Sequence, residues 1–196
     1  PDVLNPDKKL NDDILDSIRN GKSTADAILT TDLVEKTTTR TVMIGKKSIT
    51  VTGMTKGSGM IAPNMATTLL FLVTDAKIPK NILQLYLNKA INRSFNMLSV
   101  DTDTSTNDMG LLFSTGEHKI DNESKEARTL FQELLTDVCI DLAKKIAMDG
   151  EGATKMIEVQ VKNAQSVLDA KKIALNVVNS PLVKTAVFGE DPNWGR

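Results

Sequence analysis

The usual chemistry-bearing residues are scarce in this chain. Cys139 is its only cysteine and His118 its only histidine, which excludes a disulfide framework, a Cys/His zinc site and an ordinary cysteine–histidine catalytic pair. No metal is expected. Neither charge dominates: 24 basic residues against 25 acidic ones give a net charge of −1 and a pI near 5.9. That balance supplies no broad electrostatic reason to bind nucleic acid or an anionic membrane. No apolar run reaches the roughly 18 residues that a membrane span needs. The start, Pro1 to Asp7, has neither the basic opening nor the apolar stretch of a secretory signal. The chain opens on Pro1 rather than Met, as expected of a processed product or an excised piece. A cytosol-like reducing compartment fits these absences.

What remains is 196 residues that are 40% hydrophobic, with a mean hydropathy of −0.16, enough to bury a sizeable core in one domain or two small ones. Leu10, Ile14, Leu15 and Ile18 recur at helical spacing up to Asn20-Gly21. Ser23 is placed to cap a short helix through Ala25, Ala27, Ile28 and Leu29, which Thr30-Thr31-Asp32 closes. Thr41 to Ile44 and Ser48 to Val51 flank Gly45-Lys46-Lys47 as a hairpin. Thr67 to Thr74 is a continuously apolar strand expected to be buried on both faces, with a turn over Asp75 to Pro79. Residues 81–94 form a helix with Ile82, Leu85, Tyr86 and Ala90 on one face, and Met109 to Phe113 is a further strand.

The longest predicted helix spans about residues 123–148, with Leu130, Phe131, Leu134, Leu135, Val138, Cys139, Leu142 and Ile146 in one apolar stripe. Cys139 is therefore expected to be a packing residue. His118, after Gly116-Glu117, is expected on a surface turn. Asp149-Gly150-Glu151-Gly152 ends the long helix, Met156 to Val161 alternates as a strand, and Val167 to Val178 is a helix stopped by Ser180-Pro181. Thr185 to Phe188 reads as a last strand. The pattern predicts an α/β fold with a mixed sheet and covering helices.

Two motif-like segments fail on inspection. Asn20-Gly21-Lys22-Ser23 resembles a phosphate loop, but Asp16 stands where the earlier glycine is required. Asp101, Asp103 and Ser105 imitate the start of a calcium loop, yet Thr106 and Leu112 occupy the positions of its glycine and glutamate. The stretch from Ser99 to Asp108 remains dense in hydroxyls and carboxylates, as either a polar network near a site or a heavily hydrogen-bonded turn.

The sharpest signal runs from Lys56 to Thr67. Three glycines and Pro63 punctuate the stretch from Gly53 to Ala66, and the segment leads directly into the apolar strand. Ala66-Thr67 places a small residue before a hydroxyl. If strain presents that hydroxyl to the Ala66 carbonyl, an N-to-O acyl shift forms an ester that water hydrolyses, cutting the chain. Thr67 then becomes an N-terminus whose α-amine, with a reference pKa of about 7.7–8.0, can act as base for its own hydroxyl. This chemistry needs no histidine. A Gly-rich turn entering a core strand accounts for the same residues, and on spacing alone is the commoner arrangement.

The segment Lys56-Gly57-Ser58-Gly59-Met60-Ile61-Ala62-Pro63-Asn64-Met65-Ala66-Thr67 closely resembles the self-cleavage segment of the glutamate N-acetyltransferase, or ornithine acetyltransferase, family. Thr30-Thr31-Asp32, the stretch from Ser99 to Asp108, Asp149 to Lys155, and Lys184 to Gly189 with Asp191 to Arg196 resemble further signatures, in family order. The resemblance implies a self-processing fold of which this is the central portion. Residues 1–66 would belong to the α chain and 67–196 to the β chain, which begins with the nucleophile. It implies transfer of acetyl from N2-acetylornithine to L-glutamate in arginine biosynthesis, by a ping-pong cycle through acetyl-threonine. Some members also accept acetyl-CoA as donor, and no other cofactor is implied.

Carried over by motif, Thr67 is the nucleophile and Ala66–Thr67 the cleavage site, while Thr30, Lys56, Thr67 and Glu151 contact substrate. A lysine can pair with an α-carboxylate, a glutamate with a cationic amine, and a hydroxyl with the acetyl amide. The implied partners are the two chains of one precursor in a heterotetramer, and the implied compartment is the cytoplasm, or the mitochondrial matrix in a fungus. The family's oxyanion-hole Thr-Gly pair and further substrate-contacting Asn and Thr residues match nothing in this chain, and Thr68 stands where many members carry Met. Two other functions use the same features: an N-terminal-nucleophile amidase or aminopeptidase, in which water takes the acyl group, and a non-catalytic interaction module.

Overall fold

The computed structural model describes residues 24–61, 68–103, 108–121 and 124–192. The predicted first helix, the Asn20 to Ser23 segment, and the Ala66–Thr67 bond lie outside them. The order of elements is α1 (Thr24–Ala27), β1 (Lys36–Ile44), β2 (Lys47–Lys56), β3 (Leu69–Lys77), α2 (Lys80–Asn92), a 3₁₀ turn (Phe95–Met97), β4 (Met109–Lys119), α3 (Lys125–Met148), α4 (Val167–Val178) and α5 (Pro181–Phe188).

The strands form one mixed sheet in the order β1-β2-β3-β4, antiparallel except for the parallel β3–β4 pair. The hairpin is as expected but tighter, because Lys47 already pairs with Ile44. Its turn is only Gly45-Lys46, and Gly45 at φ +62° takes the left-handed first position that a II′ turn demands. The α2–β4 crossover has the length that a parallel pairing requires.

Helix α3 lies across β1 and β2 with α2 beside it. Its buried stripe contains Phe131, Leu134, Leu135, Val138, Cys139, Leu142 and Ile146, as the periodicity predicts, with Leu130 only partly buried. Ser124 caps its start by accepting the Ala127 N–H. Cys139 is fully buried, and burial pushes its thiol up to about 12, against a hydrogen bond with Ser94. Facing α3 are Ile49, Val51, Leu70 and Leu72, all with no exposed surface.

Six expectations are corrected. Strand β3 is buried on one face only: Leu70, Leu72, Thr74 and Ala76 point inward while Val73 is exposed, because among the described residues the helices α2 and α3, which pack on the sheet, cover a single side of it. The strand also continues through a bulge after Thr74 to Lys77, where a turn was expected. In α2 the buried residues are Leu83, Tyr86, Leu87, Ala90 and Ile91, so Leu85 faces outward. His118 lies in β4 opposite Ala76, not on a turn, since β4 runs on past Phe113. Met156 to Val161 pairs with no strand among the described residues, although its alternation of burial is present. Thr185 to Phe188 is helical: Ser180 caps the Val183 N–H and Pro181 opens α5, and these start signals override the β-branched run.

Candidate active site

Three segments distant in sequence meet at one end of β1 and β2: the Thr30–Asp32 turn, the chain leaving β2 at Lys56, and the end of α3 at Asp149. Lys56 Nζ donates to Thr30 Oγ1 over 3.1 Å. Immediately after Lys56, the Gly57 N–H donates to Asp32 Oδ1 over 2.7 Å, so the turn bearing Thr30 is fastened to the loop bearing Lys56 at two adjacent residues. Glu151 joins the same loop through its backbone, its N–H donating to the Ser58 carbonyl over 2.9 Å. Ser58 Oγ in turn donates to the Asp149 carbonyl over 3.1 Å. Thr30 and Glu151 face solvent, and Lys56 is half-buried.

Beneath them lies a charged layer shut away from water. The Lys36 side chain is fully buried, and its ammonium stands 2.6 Å from Asp32 Oδ1 and 2.5 Å from Asp149 Oδ2. Asp149 Oδ2 also accepts the Leu33 N–H over 3.0 Å. Burial pushes the Asp32 carboxyl up, but the hydrogen bonds from Lys36 and from the Gly57 N–H, with the Lys36 charge, hold it below the usual carboxylate range. Removing one partner from a buried ion pair of this kind costs about 3–5 kcal/mol, because the other charge is left unpaired out of water.

The loop beyond Gly59 is held by a second carboxylate. Asp101 Oδ2 accepts the Met60 N–H over 2.5 Å, and Oδ1 accepts the Ile61 N–H over 2.9 Å and the Asp103 N–H over 3.1 Å. Met60 sits at φ +55°, a left-handed conformation that costs a non-glycine residue of order 1 kcal/mol. Where the described chain resumes, the Thr68 N–H donates to Asp108 Oδ1 over 2.8 Å. Burial raises the Asp108 carboxyl, and the Thr68 bond partly offsets it. The polar stretch from Ser99 to Asp108 thus supplies carboxylates to both ends of the segment that contains residues 62–67. Among the described residues, no cluster of three His, Cys, Asp or Glu side chains could hold a metal ion.

A family profile described as ArgJ family matches residues 4–196. The chain belongs to the ArgJ family. The arginine biosynthesis bifunctional protein ArgJ of Bacillus cereus (strain ZK / E33L) is 55% identical over 177 residues, an overlap of 89% of this chain and 43% of that protein. The Lactococcus lactis subsp. lactis protein of the same name is 54% identical over 175 residues, covering 88% of this chain and 44% of its own length. The ArgJ crystal structure from Bacillus halodurans superposes with a TM-score of 0.60 at 44% identity, over 64% of this chain and 60% of that one. The chain spans less than half the length of both sequence relatives.

Of the site residues expected from the sequence, this ArgJ-family chain brings Thr30, Lys56 and Glu151 onto one platform, while Ala66 and Thr67 lie outside the described residues. Lys36 was not anticipated. A single lysine opening a β-branched strand carries no motif, and only its burial reveals it.

Proposed function

We propose that this ArgJ-family chain is the central part of an acetyltransferase that moves acetyl from N2-acetylornithine to L-glutamate, with Thr67 as nucleophile. The observation that carries this reading is the meeting of Thr30, Lys56 and Glu151 on the loop that leads, within the same segment, to Ala66-Thr67. The Lys56 ammonium pairs with the substrate α-carboxylate, Glu151 holds a cationic amine, and the Thr30 hydroxyl bonds the acetyl amide. The family match and its arginine-biosynthesis relatives support the reaction class.

The cycle balances without a metal or redox partner. In self-cleavage the Thr67 hydroxyl takes the Ala66 acyl group, and water releases it, leaving Ala66 with a carboxylate and Thr67 with a free amine. In transfer, that amine accepts the Thr67 hydroxyl proton as Oγ attacks the acetyl carbonyl. The amide C–N bond breaks and ornithine departs with the proton. The glutamate amine then attacks the acetyl ester, the C–Oγ bond breaks, and the hydroxyl is restored. Residues 1–66 and 67–196 fall in the two chains of the cut precursor, which stay associated in a heterotetramer. Acetyl-CoA serves as an alternative donor where the first half-reaction accepts it.

The test uses the full-length precursor. Intact mass should give pieces ending at Ala66 and starting at Thr67, and incubation with N2-acetylornithine and glutamate should give N-acetylglutamate and ornithine. Normal transfer by Thr67→Ala would sink the mechanism. Release of free acetate that rising glutamate does not suppress would replace the transferase with an amidase.

A further inference from the structure

We propose that Lys36 is the positioning residue of this site: its buried ammonium ties the Thr30 turn to the end of α3, and so sets the spacing between Lys56 and Glu151. This rests on the transferase reading above.

The arrangement breaks two local rules with no gain to the elements that break them. Lysine is almost never fully buried, yet Lys36 has no exposed surface at the first residue of β1. Asp149 occupies the C-cap of α3, where the negative end of the helix dipole disfavours a carboxylate. An apolar residue at 36 and an uncharged one at 149 would satisfy strand and helix alike. Such conflicts between local preference and observed structure concentrate at functional sites.

The bonds show what the ion layer accomplishes. Asp32 uses Oδ1 for both Lys36 and the Gly57 N–H, at 2.6 and 2.7 Å, so the residue after Lys56 is referenced to Lys36. Asp149 uses Oδ2 for both Lys36 and the Leu33 N–H, at 2.5 and 3.0 Å. Its own carbonyl receives Ser58 Oγ, and Glu151, two residues on, donates to the Ser58 carbonyl. The turn, the loop and the helix end are therefore closed into a ring of hydrogen bonds with one cation at its centre. A substrate clamped by Lys56 at one end and Glu151 at the other reads the dimensions of that ring. Side chains that approach productive geometry to within about 0.5 Å require this kind of locked support.

The experiment compares wild type, Lys36→Met and Asp149→Asn in the full-length enzyme. If Lys36 positions the site, amide hydrogen exchange in Lys36→Met rises together at Leu33, Gly57 and Glu151, by roughly tenfold or more, while Val51 and Leu72 in the sheet stay protected. The KM for N2-acetylornithine rises at least about tenfold, with kcat within about threefold, because substrate binding is loosened and the Thr67 chemistry is untouched. Where Lys36→Met does not fold, Asp149→Asn decides: it keeps an acceptor for Leu33, removes the charge, and should show the same pattern in smaller degree. Exchange rising at one segment alone, or an unchanged KM in a folded variant, overturns the proposal. If wild type transfers no acetyl group, the transferase reading fails by itself, and the exchange pattern still decides whether Lys36 couples the three segments.

Discussion

Gly59 lies against the Glu151 carboxylate: a methyl group built on residue 59 would stand 2.8 Å from Oε2. Contact that close forces movement, and the exposed end of Glu151 is what yields. Gly59→Ala should therefore leave stability within about 0.5 kcal/mol, while, on the proposed transferase reading, raising the KM for N2-acetylornithine roughly tenfold, equivalent to about 1.4 kcal/mol. Thermal unfolding and steady-state kinetics on the full-length enzyme check both halves. An unchanged KM would remove Glu151 from substrate binding.

Acid should loosen the site through Asp32. Its carboxyl is held below the ordinary value near 3.8 in the fold, so the folded state binds fewer protons than the unfolded one as pH falls toward that value. The stability this contributes is fully present above the unfolded pKa, and is lost as pH drops through the lower folded value. Asp141, also lowered, chiefly by the Thr38 hydroxyl and then by Lys145 and Arg40, adds in the same direction. Unfolding free energy should be flat on this account from neutrality to about pH 5 and decline below about pH 4. Asp32→Asn should flatten the decline, as read by urea titration across pH.

What the sequence disclosed tracks how local each signal is. The α3 stripe was readable because a 24-residue helix repeats its apolar spacing many times. Thr185 to Phe188 misled because four residues cannot outweigh a cap and Pro181 placed just before them. The exposed face of β3 was hidden because Leu69, Phe71 and Val73 are as apolar as their inward neighbours, and only the positions of α2 and α3 tell the faces apart. At the site, Thr30, Lys56 and Glu151 came from resemblance, and their meeting is a tertiary fact. Lys36 and its two carboxylates were invisible because partners 4 and 113 residues away leave no spacing to detect.

Helix α3 approaches β2 closely at Gly53. A Cβ there would meet Leu72 Cδ2 at 2.6 Å, Leu142 Cδ1 at 2.8 Å and Val138 Cγ1 at 3.3 Å. Unlike Glu151, these neighbours are locked in the core and cannot swing into solvent. Gly53→Ala should destabilise by about 1–3 kcal/mol through overpacking, measured as a lower denaturation midpoint with unchanged slope. A neutral or stabilised variant would mean that α3 has room to lift from the sheet.

Cys139 should be inert in the folded protein. With no exposed surface and its thiol pushed up to about 12 by burial, it has almost no thiolate at pH 8. A thiol reagent should label nothing in the native enzyme from this position and one thiol here after denaturation. Rapid native labelling at Cys139 would show that α3 opens readily from the core.

Asp101 connects a strained turn to the proposed self-cleavage. It accepts the Met60 and Ile61 N–H groups and so holds Met60 in its left-handed conformation at φ +55°. Without that carboxylate the turn is free to relax, and strain at such a residue is worth about 1–3 kcal/mol. Asp101→Ala should therefore slow cutting at Ala66–Thr67 by roughly five- to a hundredfold if the held turn directs the segment toward the acyl shift. Asp101→Asn keeps one acceptor oxygen and should fall between the two. Met60→Gly removes the conformational penalty but not the hydrogen bonds, so it separates strain from positioning: slower cutting implicates stored strain, and wild-type cutting implicates the grip of Asp101 alone. A time course of intact mass on freshly made full-length precursor reads all three variants. Cutting of Asp101→Ala at the wild-type rate would detach this turn from the cleavage reaction.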